Sequence, residues 1–161
     1  MKFGTKAIHK GLSHDPATGA IMTPIYQTST YVQQEPGVHK GYEYARVQNP
    51  TRSALESNLA HLENAKHCYC FSSGMSAVDM IIRLLKPGDE VLATNDLYGG
   101  SYRIFTEVFE DFGLHFRFID TSNPQVVKDA ISDKTRMLWI ETPTNPALKI
   151  TDLQAVSNIA K

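Results

Sequence analysis

The sequence predicts an α/β fold, with a mostly parallel sheet flanked by helices and an extended arm in front of it. Three observations lead there. From Thr51 onward, helical and strand-like patterns alternate about four times, the pattern of parallel strands joined by covering helices. Each loop of unusual composition follows an apparent strand, and ligands in such sheets gather beyond the carboxyl ends of the strands. Residues 1 to about 50 are rich in Gly, Pro, Thr and Tyr and keep no sustained period, as expected of an arm rather than a compact unit.

The 161 residues fit one domain with a real apolar core. The formal charge is −1 with acids and bases interspersed, which leaves no broad electrostatic footprint for nucleic acid or an anionic membrane. Met1 to Gly11 carries lysines but no apolar core of a leader, and no window has the length of a membrane span, so a cytoplasmic protein is expected. Cys68 and Cys70 alternate along one apparent strand, where a mutual disulfide would be strained; packing is the expectation. The six histidines show no HExxH or Cys/His zinc spacing, and no metal site is expected.

Taken in order, the arm covers residues 1–52 and the α/β domain residues 53–161. Tyr26, Tyr31, Tyr42 and Tyr44 give the arm much apolar area, suited to reaching across a subunit interface. Leu55, Leu59 and Leu62 lie at helical spacing, with Thr51 as the expected N-cap. A β-like run, Cys68–Phe71, meets Ser72-Ser73-Gly74 and opens into a strongly apolar helix that ends at Lys86-Pro87-Gly88-Asp89. Val91–Thr94 is a buried strand, 95–100 a loop, Ser101 to about Phe112 a helix, and His115–Ile119 the next strand, with Gly113 as the helix stop. A helix follows near Pro124–Ile131, then a strand at Met137–Glu141, a Pro-rich loop at Thr142–Ala147, and a helix at Asp152–Ala160. The loops at 72–76, 95–100 and 142–145 are therefore expected on one rim.

Their compositions suggest chemistry. Serine hydroxyls, a glycine and the free N–H groups of a helix start make an anion cradle at 72–76. Neither GxxxxGK[ST] nor GxGxxG occurs, which disfavours ATP and NAD and leaves single phosphate groups, such as those of phosphosugars or pyridoxal phosphate. Taken alone, the cradle is also compatible with a plain strand-to-helix turn. Tyr44 and Arg46 offer a phenol and a guanidinium for phosphate oxygens, or a packed ring and a surface cation. Tyr98, followed by Gly99 and Gly100, offers a ring with space beside it for a flat heteroaromatic group, or equally a plug for the helix entry. Arg103 either faces the same rim or is solvated. In Glu141-Thr142-Pro143-Thr144-Asn145-Pro146, two prolines stiffen a loop whose Asn145 amide is aimed by the backbone.

Together, Tyr-Ala-Arg-Val-Gln-Asn-Pro-Thr-Arg (44–52), Phe-Ser-Ser-Gly-Met-Ser-Ala (71–77), Asp-Leu-Tyr-Gly-Gly-Ser-Tyr-Arg (96–103) and Trp-Ile-Glu-Thr-Pro-Thr-Asn-Pro (139–146) resemble the Cys/Met-metabolism, or transsulfuration, family of pyridoxal-phosphate enzymes. Essentially the whole chain shares the likeness. The resemblance implies the first part of a fold type I large domain, with pyridoxal phosphate as cofactor and a small amino acid as substrate. Gly74 and Met75 would give N–H groups to the phosphate, and Tyr44 and Arg46 would hold it from a neighbouring subunit of a dimer, itself half of a tetramer. Tyr98 would stack on the ring as the catalytic residue of this chain and Glu141 would lie in the cofactor pocket. Arg46, Tyr98, Arg103 and Asn145 would line the substrate side. Gly100 is a cysteine in most methionine γ-lyases, so cystathionine γ-synthases and γ-lyases are favoured, with γ-replacement or γ-elimination as the chemistry.

The family's Schiff-base lysine, in a Ser-x-Thr-Lys context, and its Asp-Asn-Thr strand end would lie beyond Lys161, and Lys149 and Lys161 sit in no such context. The chain is therefore expected to be the N-terminal part of a longer enzyme, inactive alone and prone to self-association. A non-catalytic phosphate-binding α/β module of phosphosugar type is the alternative. It explains the cradle but not the company of Tyr44, Arg46, Tyr98 and the 141–146 loop.

Overall fold

In a computed structural model describing residues 1–161, the chain groups into two units, Met1–Phe71 and Ser72–Lys161. The first contains helix α1 (Phe3–His9), a small antiparallel hairpin of β1 (Gln33–Glu35) and β2 (Val38–His39), and helix α2 (Pro50–Leu62). Sequence periodicity had no grip on α1. Its seven residues bury none of their side chains, and it is tied down from outside, where Asn58 Nδ2 donates to Lys10 O at 2.7 Å. At Gly11, with φ +75°, a Cβ would come within 2.5 Å of Ser57 O, so the close approach to α2 needs glycine.

The start of α2 corrects the expected cap. Asn49 is the N-cap, its side chain accepting Thr51 N–H at 2.9 Å, and Pro50 takes the first helical position, where a missing N–H costs nothing. Thr51 is used differently: its hydroxyl donates to Pro24 O at 2.9 Å and accepts Tyr26 N–H at 3.0 Å, pinning the arm onto the helix start. Helix α2 therefore groups with the arm rather than with the sheet. The run Cys68–Phe71 forms no strand, because nothing in the chain pairs with it, and Tyr69 and Phe71 are exposed.

In the second unit, α3 (Gly74–Ile82), β3 (Glu90–Thr94), α4 (Gly99–Ile104), β4 (His115–Ile119), α5 (Pro124–Ala130), β5 (Thr135–Trp139) and α6 (Leu153–Ile159) follow one another. The sheet is parallel in the order β4-β3-β5. Its central strand is buried at every position, which is why Val91–Thr94 reads as an unbroken apolar run rather than an alternation. Val91 lies beside Phe116 on one neighbour and Met137 on the other. Strand β5 begins and ends two residues earlier than the expected Met137–Glu141, since pairing with β3 begins at Thr135 opposite Glu90.

The expected helix at 101–112 begins earlier, at Gly99, and widens into a π-helical turn at Phe105–Phe109, where Glu110 N–H reaches Phe105 O. Gly113 then ends it at φ +81°. Phe105 and Phe109 are buried in the core with Ile82, Val91, Ala93, Leu114 and Phe116. Phe105 stacks on Phe116 at 4.6 Å and meets Trp139 edge-on at 5.4 Å, so helix, sheet and rim share one aromatic cluster. No helix is long and apolar enough to cross a membrane.

Candidate cofactor site at the strand-end rim

The rim is built from hydroxyls at the ends of the strands. Thr94 closes β3, and its Oγ1 lies 3.0 Å from Thr121 Oγ1, which lies 2.9 Å from Thr151 Oγ1. All three threonines are buried, so each hydroxyl must find its partner inside the protein. Thr94 Oγ1 also accepts Glu141 N–H at 3.3 Å, fixing where the chain leaves β5.

Two further anchors lock the loop after β3 to the loop after β5. Asp96 Oδ2 accepts the Thr144 hydroxyl and, at 2.8 Å, Ala147 N–H. Glu141 Oε2 accepts Tyr98 N–H at 2.8 Å, while its Oε1 accepts the Trp139 indole N–H at 3.1 Å. The second loop also holds two cis prolyl bonds, Thr142–Pro143 and Asn145–Pro146.

The third loop joins through Met75. A Cβ added to Gly100, which is buried, would collide with the Tyr98 ring and lie 3.0 Å from Met75 Sδ. The absent side chain lets the Tyr98 ring lie against the first turn of α4, beside Met75 in the first turn of α3. Tyr98 itself is 49% exposed and so keeps a free aromatic surface.

At the nine-residue helix α3, Ser73 is the N-cap, its Oγ accepting Ser76 N–H at 3.1 Å and lying 2.9 Å from Ser76 Oγ. The Gly74 and Met75 N–H groups have no acceptor within the chain, and nothing lies within 4 Å of a Cβ built on Gly74. These are free donors at the positive end of a helix, with open space in front. The Ser73 hydroxyl, expected as part of the cradle, serves the helix instead.

The structure thus brings together Gly74, Met75, Tyr98 and Glu141. Arg103 lies exposed in the last turn of α4 and forms no ion pair, and Asn145 is exposed in the Pro-rich loop. Lys149 is not merely solvated: its Nζ donates to Asn95 Oδ1 at 3.2 Å and lies 3.6 Å from Asp120 Oδ2. Hydrogen bonds from the Ser122 hydroxyl and N–H, with Lys149 nearby, hold the Asp120 carboxyl below its ordinary range. Tyr44 and Arg46 lie in the Met1–Phe71 unit, with the Arg46 guanidinium 4.9 Å from the centre of the Tyr44 ring. Sequence reasoning missed Thr94, Thr121, Thr151, Asp96 and Trp139; the only signal was that polar residues follow buried apolar runs at strand ends.

The site fits pyridoxal phosphate on its own geometry. Two unpaired N–H groups at a helix start suit a phosphate, and an exposed ring beside them suits a flat heteroaromatic group. The Glu141 carboxylate, the one acidic group among the gathered residues, has both oxygens occupied by protein donors.

The family model described as Cys/Met metabolism PLP-dependent enzyme matches residues 4–161. The chain is 52% identical over 158 residues to the cystathionine β-lyase of Coxiella burnetii, covering 98% of this chain and 41% of that protein. It is 49% identical over 159 residues to a probable cystathionine γ-synthase of Herpetosiphon aurantiacus, covering 99% of this chain and 50% of the relative. The solved cystathionine γ-lyase of Lactobacillus plantarum, complexed with L-serine, superposes with a TM-score of 0.92 at 42% identity, over 99% of this chain and 42% of that one. The chain therefore spans between about two-fifths and one-half of the length of these relatives. None of them is a phosphosugar-binding protein.

Proposed function

Because this chain belongs to the Cys/Met metabolism PLP-dependent enzymes, we propose that its 72–161 unit holds the phosphate and ring of pyridoxal phosphate within an enzyme of cystathionine γ-synthase or γ-lyase type. Its reaction is γ-replacement or γ-elimination on a sulfur amino acid or an activated homoserine. The observation that carries this reading is the pair of free N–H groups at Gly74 and Met75, set beside the exposed Tyr98 ring that Gly100 admits. When bound, pyridoxal phosphate supplies an electron sink for the pair left as a substrate amino acid loses its α-proton.

The chain's own residues bind and orient. Gly74 and Met75 donate to phosphate oxygens, helped by the α3 dipole. Tyr98 presents its face to the pyridine ring and is the catalytic residue of this chain. Arg103 and Asn145 take the substrate side, where a guanidinium and an amide match a carboxylate. Tyr44 and Arg46 reach the phosphate of a neighbouring copy, which makes the protein a dimer with shared sites, paired into a tetramer, and gives residues 1–52 their role. Arg46 then also borders the substrate. The absence of a side chain at Gly100 favours the γ-synthase and γ-lyase branches. A cytoplasmic location suits a soluble amino-acid substrate.

Pyridoxamine phosphate, which has no aldehyde to react with surface lysines, tests the reading. We expect it to bind saturably and a hexose phosphate to bind at least tenfold more weakly. Equal affinity for the two would replace this function with phosphosugar binding.

A further inference from the structure

Resemblance places Glu141 among the groups that hold the cofactor. Its geometry points elsewhere. Both carboxylate oxygens are engaged by donors of the protein: Oε2 by Tyr98 N–H at 2.8 Å, and Oε1 by Trp139 Nε1–H at 3.1 Å. The residue is partly buried, and its own N–H is held by Thr94 Oγ1 at the end of the central strand. Its position is thus set by the sheet, and it passes that position to Tyr98. Tyr98 precedes α4 as N-cap without a side-chain capping bond, and its other main-chain tie, the carbonyl that accepts Tyr102 N–H at 3.0 Å, runs to α4 and not to the sheet. Its ring rests against Gly100, where there is no side chain to stop it sliding.

We infer that Glu141 is a positioning residue, a strut from the end of β5 that fixes the Tyr98 main chain and hence the aromatic face, and that it makes no contact with the bound cofactor. Trp139 is the other end of the strut. Its indole packs edge-on against Phe105 in the core, so the carboxylate is braced by the aromatic cluster on one side and holds the loop on the other. A carboxylate is required because two donors converge on it. A glutamine at 141 has one acceptor oxygen, and its amide N–H would face a donor, leaving either Tyr98 N–H or the Trp139 indole unpaired.

The strut is testable without any ligand, so its failure is separable from failure of the cofactor assignment on which its functional meaning rests. Trp139 is the chain's single tryptophan and gives one indole N–H resonance. In Glu141→Gln and Glu141→Asp we expect hydrogen exchange at the Tyr98 amide to rise at least tenfold, or the indole signal to move upfield, while amides of β3 and β4 keep wild-type protection. Wild-type behaviour of both reporters in both variants would overturn the strut.

Pyridoxamine phosphate then tests the route. Glu141→Gln should weaken binding several-fold, and Glu141→Gln combined with Tyr98→Ala should bind no more weakly than Tyr98→Ala alone. Additive losses would mean that Glu141 touches the ligand directly and would overturn the inference. If even the wild-type chain binds no pyridoxamine phosphate, the cofactor assignment falls and the exchange result still decides the strut.

Discussion

Gly100 illustrates how a single missing methyl group can shape a site. A Cβ there would collide with the Tyr98 ring and crowd Met75 Sδ at 3.0 Å, so Gly100→Ala must push the ring outward or shift α3. We expect a loss of about 1–3 kcal/mol in stability or ring placement. The measurement is pyridoxamine phosphate affinity together with a denaturant midpoint, and an unchanged pair would contradict the close approach. Glu90 is a second residue whose setting predicts behaviour. Burial pushes its carboxyl up, but hydrogen bonds from Thr135 and Ser132 and the Arg117 guanidinium at 3.2 Å outweigh that and hold it below the ordinary range. A carboxyl lowered by folding stabilises the protein above its unfolded pKa, and that contribution fades as the pH falls through the folded value. Stability should therefore drop as the medium is acidified below about pH 4.3. Glu90→Gln should flatten this dependence in pH-scanned thermal melts.

At the scale of elements, what could be read from sequence and what could not divides by where the information lies. The central strand β3 is readable as a continuous apolar run because it is covered on both faces. The edge strand β4 is readable as an alternation in which His115 and Arg117 are exposed and Phe116 is buried, and Gly113 marks the helix stop by its need for positive φ. The strand expected at Cys68–Phe71 shows the limit, since apolar alternation says that a segment suits a sheet but not that a partner strand exists. Helix α1 was invisible because its support, Asn58, is about fifty residues away in sequence. The cap of α2 was misplaced by two residues because Asn49 and Thr51 are both good capping types, and only the contacts to Pro24 and Tyr26 separate them. Asn49→Ala should cost about 1 kcal/mol in chemical denaturation, from loss of the cap and of the Asn49 Nδ2 bond to Tyr26 O at 3.0 Å. A change within a few tenths would contradict the assignment.

Across the whole molecule, the meeting of the 95–100 and 142–145 loops follows from one rule about parallel sheets, whereas the 72–76 loop follows no strand and joins them through Met75 beside Gly100. A row of buried threonines and two carboxylates, Asp96 and Glu141, tie the loops after β3 and β5 to one another. Those ties were not readable, because a threonine at a strand end looks the same in sequence whether or not another hydroxyl faces it. The proposed sharing of sites between copies of the chain has its own test. Arg46→Ala and Tyr98→Ala damage contributions expected from opposite subunits, so each variant alone should bind pyridoxamine phosphate weakly. Mixed and allowed to exchange, they should recover tight binding at about a quarter of the sites, those of hybrid dimers carrying both lesions in one half. No recovery after subunit exchange would mean that each chain uses its own Arg46 or none.

In the proposed site, the start of α3 holds a phosphate beside the Tyr98 ring. Titrating the ¹⁵N-labelled chain with pyridoxamine phosphate and following its backbone amides tests this most directly. The largest shifts should fall at Gly74 and Met75, with Tyr98 moving in step and inorganic phosphate reproducing the first two but not the third. Saturable binding that leaves Gly74 and Met75 unmoved would contradict the proposed site.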